Sequence, residues 1–140
     1  MIANPSSRTM RRGATAVEFA LVAQVFFVLI FGMIEIGRAC MVTQLLTEAA
    51  RRACRKGVLE GTSSSAIQSA ASDYLTSLGI SSESINVYIN DAPVGSTNVA
   101  AMPAYTEITV VVTVPVSSVT WTPSWFLTGN LSGQYTMRRE

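Results

Sequence analysis

The sequence predicts a membrane-anchored α+β protein with a long N-terminal helix whose first half spans a bilayer, a second helix, and a small antiparallel sheet of about three strands. Three observations carry this expectation. The run Phe19 to Ile34 contains no charge, and roughly 20 apolar residues suffice to cross a bilayer as a helix. Apolar residues then continue at helical spacing, break at a polar stretch, and resume. From Ile85 onward the apolar period falls to two, the period of a strand.

Composition narrows the function classes first. The 140 residues are 49% hydrophobic and 14% charged, against roughly 25% charged in ordinary soluble domains. Histidine is absent and there are two cysteines, so a zinc finger, a histidine-based triad and a disulfide-dense scaffold lack their parts. A net charge of +1 is no footprint for nucleic acid, which calls for a concentrated basic face. Gly61-Thr62-Ser63-Ser64-Ser65 lacks the lysine and second glycine of a phosphate loop. No paired carboxylates share a helix face with a base, and Asn130-Leu131-Ser132 matches a glycosylation sequon too short to weigh. The expectation is a non-enzymatic protein with no catalytic residue, metal, cofactor, nucleic-acid partner or small-molecule substrate.

Residues 1–13 form a polar leader carrying Arg8, Arg11 and Arg12 and no acid. Positive charge beside a first apolar helix holds that end in the cytoplasm, so the remainder faces outward. The basic residues Arg51, Arg52, Arg55 and Lys56 also lie beyond the helix, but at the edge of that rule's range. Residues 14–36 are the membrane helix, with Glu18 the one charge between Ala14 and Ile34. Three readings fit: an uncleaved signal anchor, a cleaved secretory signal, or a prepilin-type signal cut on the cytoplasmic side. A secretory cut would use Gly37 and Ala39, or Cys40 as a lipoprotein terminus, yet Glu35 and Arg38 suit neither.

Across the leader boundary stands Arg11-Arg12-Gly13-Ala14-Thr15-Ala16-Val17-Glu18-Phe19, a glycine after basic residues and a glutamate five positions later in an apolar helix. This resembles the processing site of type IV prepilins. More closely, the segment RRGATAVEFALVAQVFFVLIFGMIEIGRA resembles the TadE-like family of tight-adherence pseudopilins, and the ending Tyr135-Thr136-Met137-Arg138-Arg139-Glu140 is similar to that family's C-terminus. The likeness is dense over about the first 40 residues and thin in the middle. It implies cleavage after Gly13 by an aspartic prepilin peptidase of the bacterial inner membrane, Ala14 as the new N-terminus, and Glu18 as an assembly residue. Other pilin-like subunits and pilus assembly proteins are the implied partners. Physical reasons accompany each role: glycine offers a protease no side chain to obstruct it, and an acid within an apolar helix is costly unless paired. Its natural partner is the freed ammonium of Ala14 on a neighbouring subunit, although Glu18 lies only about 7 Å along the helix from Gly13 and headgroups are also within its reach. The sequence departs from the family at Gln24, where many relatives carry proline. An amide at that depth should face another helix, and Ala16, Ala20 and Ala23 form a strip of small residues that permits close approach.

Residues 37–60 are read as a continuation of the helix. Leu45, Leu46, Ala49, Ala50, Ala53 and Cys54 repeat on one side, with Gln44, Glu48, Arg51, Arg52 and Arg55 on the other, expected as a solvated face. The helix should run to about Lys56, giving a pilin-like stalk, with Gly57 or Gly61 as its stop. Cys40 and Cys54 then stand about 21 Å apart, too far for a disulfide within the chain. Both thiols point to the same side, where burial as small apolar groups is expected. A domain of residues 61–140 follows. Its helix over Ser64 to Leu78 uses Ile67, Ala70, Ala71, Tyr74, Leu75 and Leu78, closed by Gly79. Strands are predicted around Ile85, Val87 and Ile89, across Ile108, Val110, Val112 and Val114, and over Leu131 to Met137, with Pro115 at an edge or the end of pairing. Asn90 to Tyr105 reads as a long loop. Trp121-Thr122-Pro123-Ser124-Trp125-Phe126 reads as cover for the core, with an interaction patch as the alternative. A rival function also fits: an uncleaved, signal-anchored extracytoplasmic binding domain that uses the aromatic patch or the long loop to hold a ligand.

Overall fold

The computed structural model describes residues 6–59, 62–81, 83–94, 99, 103, 105–120 and 127–139. The first five residues of the leader, Gly61 and the aromatic segment 121–126 lie outside the described residues, as does part of the loop 90–105. The chain divides into two compact units, Met1–Ile36 and Gly37–Glu140. Its elements are helix α1 (Ser6–Val58), helix α2 (Ser64–Ser77) and strands β1 (Ser84–Ile89), β2 (Ala92–Pro93), β3 (Glu107–Pro115) and β4 (Asn130–Arg138). α1 opens at Ser6, ahead of Gly13, so the second half of the leader is helical.

Within the first unit the helix buries almost nothing. Val17, Phe19, Leu21, Val22, Val25, Phe26, Leu29, Met33 and Ile34 are exposed, and the 18-residue window of highest hydropathy is 6% buried. A soluble core helix would be largely covered; this apolar surface requires lipid or another protein.

In the second unit both helices cover one face of a four-stranded antiparallel sheet of order β2-β1-β3-β4. The register aligns the inward residues: Val87 pairs with Val110 and Ile89 with Ile108, while Val110 pairs with Tyr135 and Val112 with Gly133. Ile108, Val110, Val112 and Val114 are fully buried, as alternation along β3 predicts for a strand with one covered face. Above them lie Leu46, Ala49, Ala50, Ala53 and Cys54 of α1 and Ile67, Ala71 and Leu75 of α2. Alanine at three of these helix positions brings the α1 backbone close to the sheet, and glycine on β4 completes the approach. A Cβ on Gly133 would lie 2.4 Å from the Thr47 amide nitrogen and 2.5 Å from the Leu46 carbonyl carbon. On the other face Thr109 and Thr136 share a hydroxyl hydrogen bond of 2.8 Å, and β4 forms one border of the sheet.

The sheet has one strand more than expected. Asn90 and Asp91 both take positive φ, 46° and 64°, the backbone of a tight hairpin turn, and this returns the chain so that Ala92 pairs with Ile89. The long loop therefore begins as a hairpin. Gly57 is not a helix stop: it lies inside α1, where a Cβ would meet Ile67 Cδ1 at 2.8 Å. The end of α1 is held instead by Thr62, whose hydroxyl lies 3.0 Å from the Lys56 carbonyl and 2.9 Å from that of Leu59. α2 closes at Gly79 as expected: Gly79, with φ of 75°, donates to Thr76 and Ile80 donates to Leu75, the paired bonds of a Schellman ending. That ending turns Ile80 into the core and leaves Leu78 exposed, which reverses the helical-period reading of Leu78. Pro115 is the last residue of β3, paired with Asn130, and so ends the pairing.

Two glycine substitutions should separate sharply. Gly133→Ala drives a methyl into fixed helix backbone and should cost about 3 kcal/mol or more of stability. Gly57→Ala meets only the movable end of Ile67 and gains up to about 1 kcal/mol in helix propensity, so its net change should stay within about 1 kcal/mol. Urea unfolding of the detergent-solubilised protein measures both.

Candidate functional site

The residues around the leader boundary all lie on α1. Gly13, Ala14 and Glu18 are exposed, and a Cβ on Gly13 would meet nothing within 4 Å. Among the described residues no hydrogen bond or ion pair reaches Glu18. The four-residue step from Ala14 to Glu18 puts them on one side of the helix. Ala16, Ala20 and Gln24 are exposed as well, and Ala23 is partly covered. Gln24 has no hydrogen-bond partner among the described residues. Glu18 and Gln24 are thus available to another molecule.

In the second unit the basic run is more than a solvated face. Arg52 holds Glu48 at 3.2 Å and lies 4.0 Å from the ring centre of Tyr74 on α2. Arg51 covers Tyr135 of β4 at 5.7 Å. These two exposed guanidinium groups clasp the neighbouring elements onto α1; such contacts contribute about 0.5–1 kcal/mol each at exposed sites. Arg55 and Lys56 are exposed in the last turn of α1, where positive charge complements the helix dipole. An open cleft of about 260 Å³ is lined by Thr43, Gln44, Thr47, Glu48, Arg51 and Tyr135. Near the C-terminus, Arg138 donates to the Tyr105 carbonyl at 3.3 Å and sits 6.0 Å from that ring. Tyr105 holds φ of 69° with its ring exposed, a conformation that bulky residues seldom adopt. Among the described residues no group of three or more cysteine, aspartate or glutamate side chains could hold a metal ion.

The two thiols differ. Cys54 is fully buried beneath the sheet, 3.1 Å from the Tyr135 carbonyl and 3.6 Å from that of Ile108. Burial pushes the Cys54 thiol up from 9.0 to about 11, against a partial lowering by the backbone at Val110 and Met137. Cys40 is exposed, contrary to the expected burial. Arg38, two residues earlier, already donates to the Val119 carbonyl, so Cys40 lies beside the covered face of α1 and not on it. Both thiols are free, on one unbroken helix.

Residues 13–55 match the family model described as TadE-like protein, a little under a third of the chain. The matched segment holds the apolar helix and the whole glycine-to-glutamate motif. That family is structural and related to the tight-adherence pilus. No curated protein matches, and no solved structure matches.

A neutral electrophile should modify Cys40 at pH 8 and spare Cys54 until urea unfolds the chain; peptide mapping reads the difference. Between pH 9 and 11 the unfolded chain releases the Cys54 proton while the folded chain keeps it, so stability should fall as pH rises. The expected loss is about 2–3 kcal/mol. Cys54→Ala, although less stable throughout, should lose this slope.

Proposed function

We propose that this protein is a minor pseudopilin: a single-pass subunit of the bacterial inner membrane that takes part in tight-adherence pilus assembly after prepilin-peptidase cleavage between Gly13 and Ala14. The observation that carries the reading is a family match beginning at Gly13 and enclosing Glu18, the one acid between Ala14 and Ile34. Leader arginines on one side of an apolar helix support a cytoplasmic N-terminus and an extracytoplasmic C-terminal unit.

The local structure gives cleavage a physical course. The bond after Gly13 lies in an exposed stretch of helix, and a peptidase that binds its substrate extended must open that turn. Glycine is about 1 kcal/mol worse than alanine in a helix interior, which lowers the cost of opening. Cleavage removes Arg8, Arg11 and Arg12, taking the formal charge from +1 to −2, and leaves an ammonium at Ala14. Positive charge at a helix N-terminus opposes the helix dipole. The Glu18 carboxylate of a neighbouring subunit offsets it, and the two groups relieve each other of an unpaired charge near lipid.

Mass spectrometry of protein purified from membranes that contain the peptidase should find an N-terminal peptide beginning at Ala14. An intact Met1 peptide in assembled material would favour an uncleaved anchored binding domain and sink this function. Glu18→Gln should leave cleavage intact while reducing subunit association and piliation. Normal piliation would remove Glu18 from assembly, and failed cleavage would assign it to peptidase recognition.

A further inference from the structure

We propose that the membrane helix pairs with the same helix of a second copy through reciprocal hydrogen bonds between their Gln24 amides. The inference rests on the membrane-anchor reading but not on processing at Gly13.

Between Phe19 and Ile34, Gln24 is the one side chain bearing N–H and carbonyl groups. It is exposed, and no hydrogen bond satisfies it among the described residues. The helix already uses its own backbone groups, and hydrocarbon offers nothing in exchange. A partner must therefore bring a hydrogen-bonding group to this depth. A second copy does so by construction, because two chains inserted in the same sense hold Gln24 at the same level. An amide both donates and accepts, so a two-fold pair closes two bonds with one residue from each chain.

The surrounding helix surface fits this partner. The row at four-residue steps through Gln24 is Ala16, Ala20, Gln24, Val28 and Gly32. A Cβ on Gly32 would meet nothing within 4 Å, so no described neighbour in its own chain uses the gap, although glycine weakens a helix relative to alanine. Ala20 and Val28 lie about 40° to either side of Gln24, and Ala16 and Gly32 about 80°, so the row crosses the pairing face obliquely and lets a second helix approach at an angle. The exposed Val22, Phe26 and Leu29 fall roughly 140–160° round the helix from Gln24, on the side left to lipid, while the exposed Val17 and Phe31 lie within about 20° of it and pack beside the amide pair. Glu18 lies about 120° away, outside the pairing face.

The test uses the full, unprocessed chain in phosphatidylcholine vesicles without peptidase, labelled with donor or acceptor dye at the exposed Cys40. Energy transfer is followed as lipid dilutes the protein. Wild-type chains should give transfer fitting two copies. Gln24→Leu should weaken pairing about 3- to 30-fold, and Gln24→Asn should retain most of it. Cys54 staying unlabelled in each variant shows that the C-terminal unit is folded. Equal pairing by wild type and Gln24→Leu, transfer fitting larger assemblies, or no transfer at any dilution would overturn the proposal. Because no cleavage is involved, an uncleaved chain in cells would count against the pseudopilin function and leave this result standing.

Discussion

The C-terminal unit depends on how closely the α1 backbone can lie against the sheet. Two surfaces set that distance: Ala49, Ala50 and Ala53 on the helix and Gly133 on β4. The larger buried side chains are Leu46 on α1, which itself lies against Gly133, Ile67 and Leu75 on α2, and the valines of β3. Interiors packed at near-crystalline density have little room to absorb an added methyl. The register of β4 is fixed by the same contact, since a one-residue slip would carry Gly133 to the outer face and turn a larger neighbour toward Thr47.

The two units solve opposite problems with one helix. From Val17 to Leu29 the large apolar residues encircle the helix and remain exposed, as a lipid-facing segment requires. In Gly37–Glu140 the apolar residues narrow to one stripe, Val42, Leu46, Ala49, Ala50, Ala53 and Cys54, and the stripe is covered. Polar residues on the remaining face of that helix are used locally: Glu48 braces Arg52, and the two arginines cover Tyr74 and Tyr135.

Periodicity made most of this legible. Alternation in Ile108 to Val114 is visible because each inward residue is apolar and each outward one differs in kind or exposure, and the stripe from Leu46 to Cys54 is visible because one helix face is covered. What depended on contacts between distant residues was hidden. Gly57 looks like a terminator in sequence, while in space it makes room for Ile67; the actual terminator is a threonine hydroxyl reaching back to Lys56 and Leu59. Ile80 lies beyond the helical period and becomes buried only through the left-handed turn at Gly79. β2, at two residues, is too short to show a period. Gly133 did carry a readable signal: it is a glycine at an inward strand position, flanked by Leu131 and Tyr135, and glycine there marks close backbone approach. For the leader site the motif itself was legible, but the helical state of residues 6–12 was not, because three arginines and several polar residues carry no apolar period.

The border position of β4 imposes a rhythm on its backbone. Bonds from Val116 to Gly129 and from Arg139 to Thr106 set the phase of the ladder with β3, so Leu131, Gly133, Tyr135 and Met137 turn their amides inward to that strand. Asn130, Ser132, Gln134, Thr136 and Arg138 turn theirs the other way, toward the border that pairs with no strand among the described residues. Neighbouring amides of this one strand therefore live in different solvents, and deuterium entering the folded protein would mark every second residue of β4 before the rest.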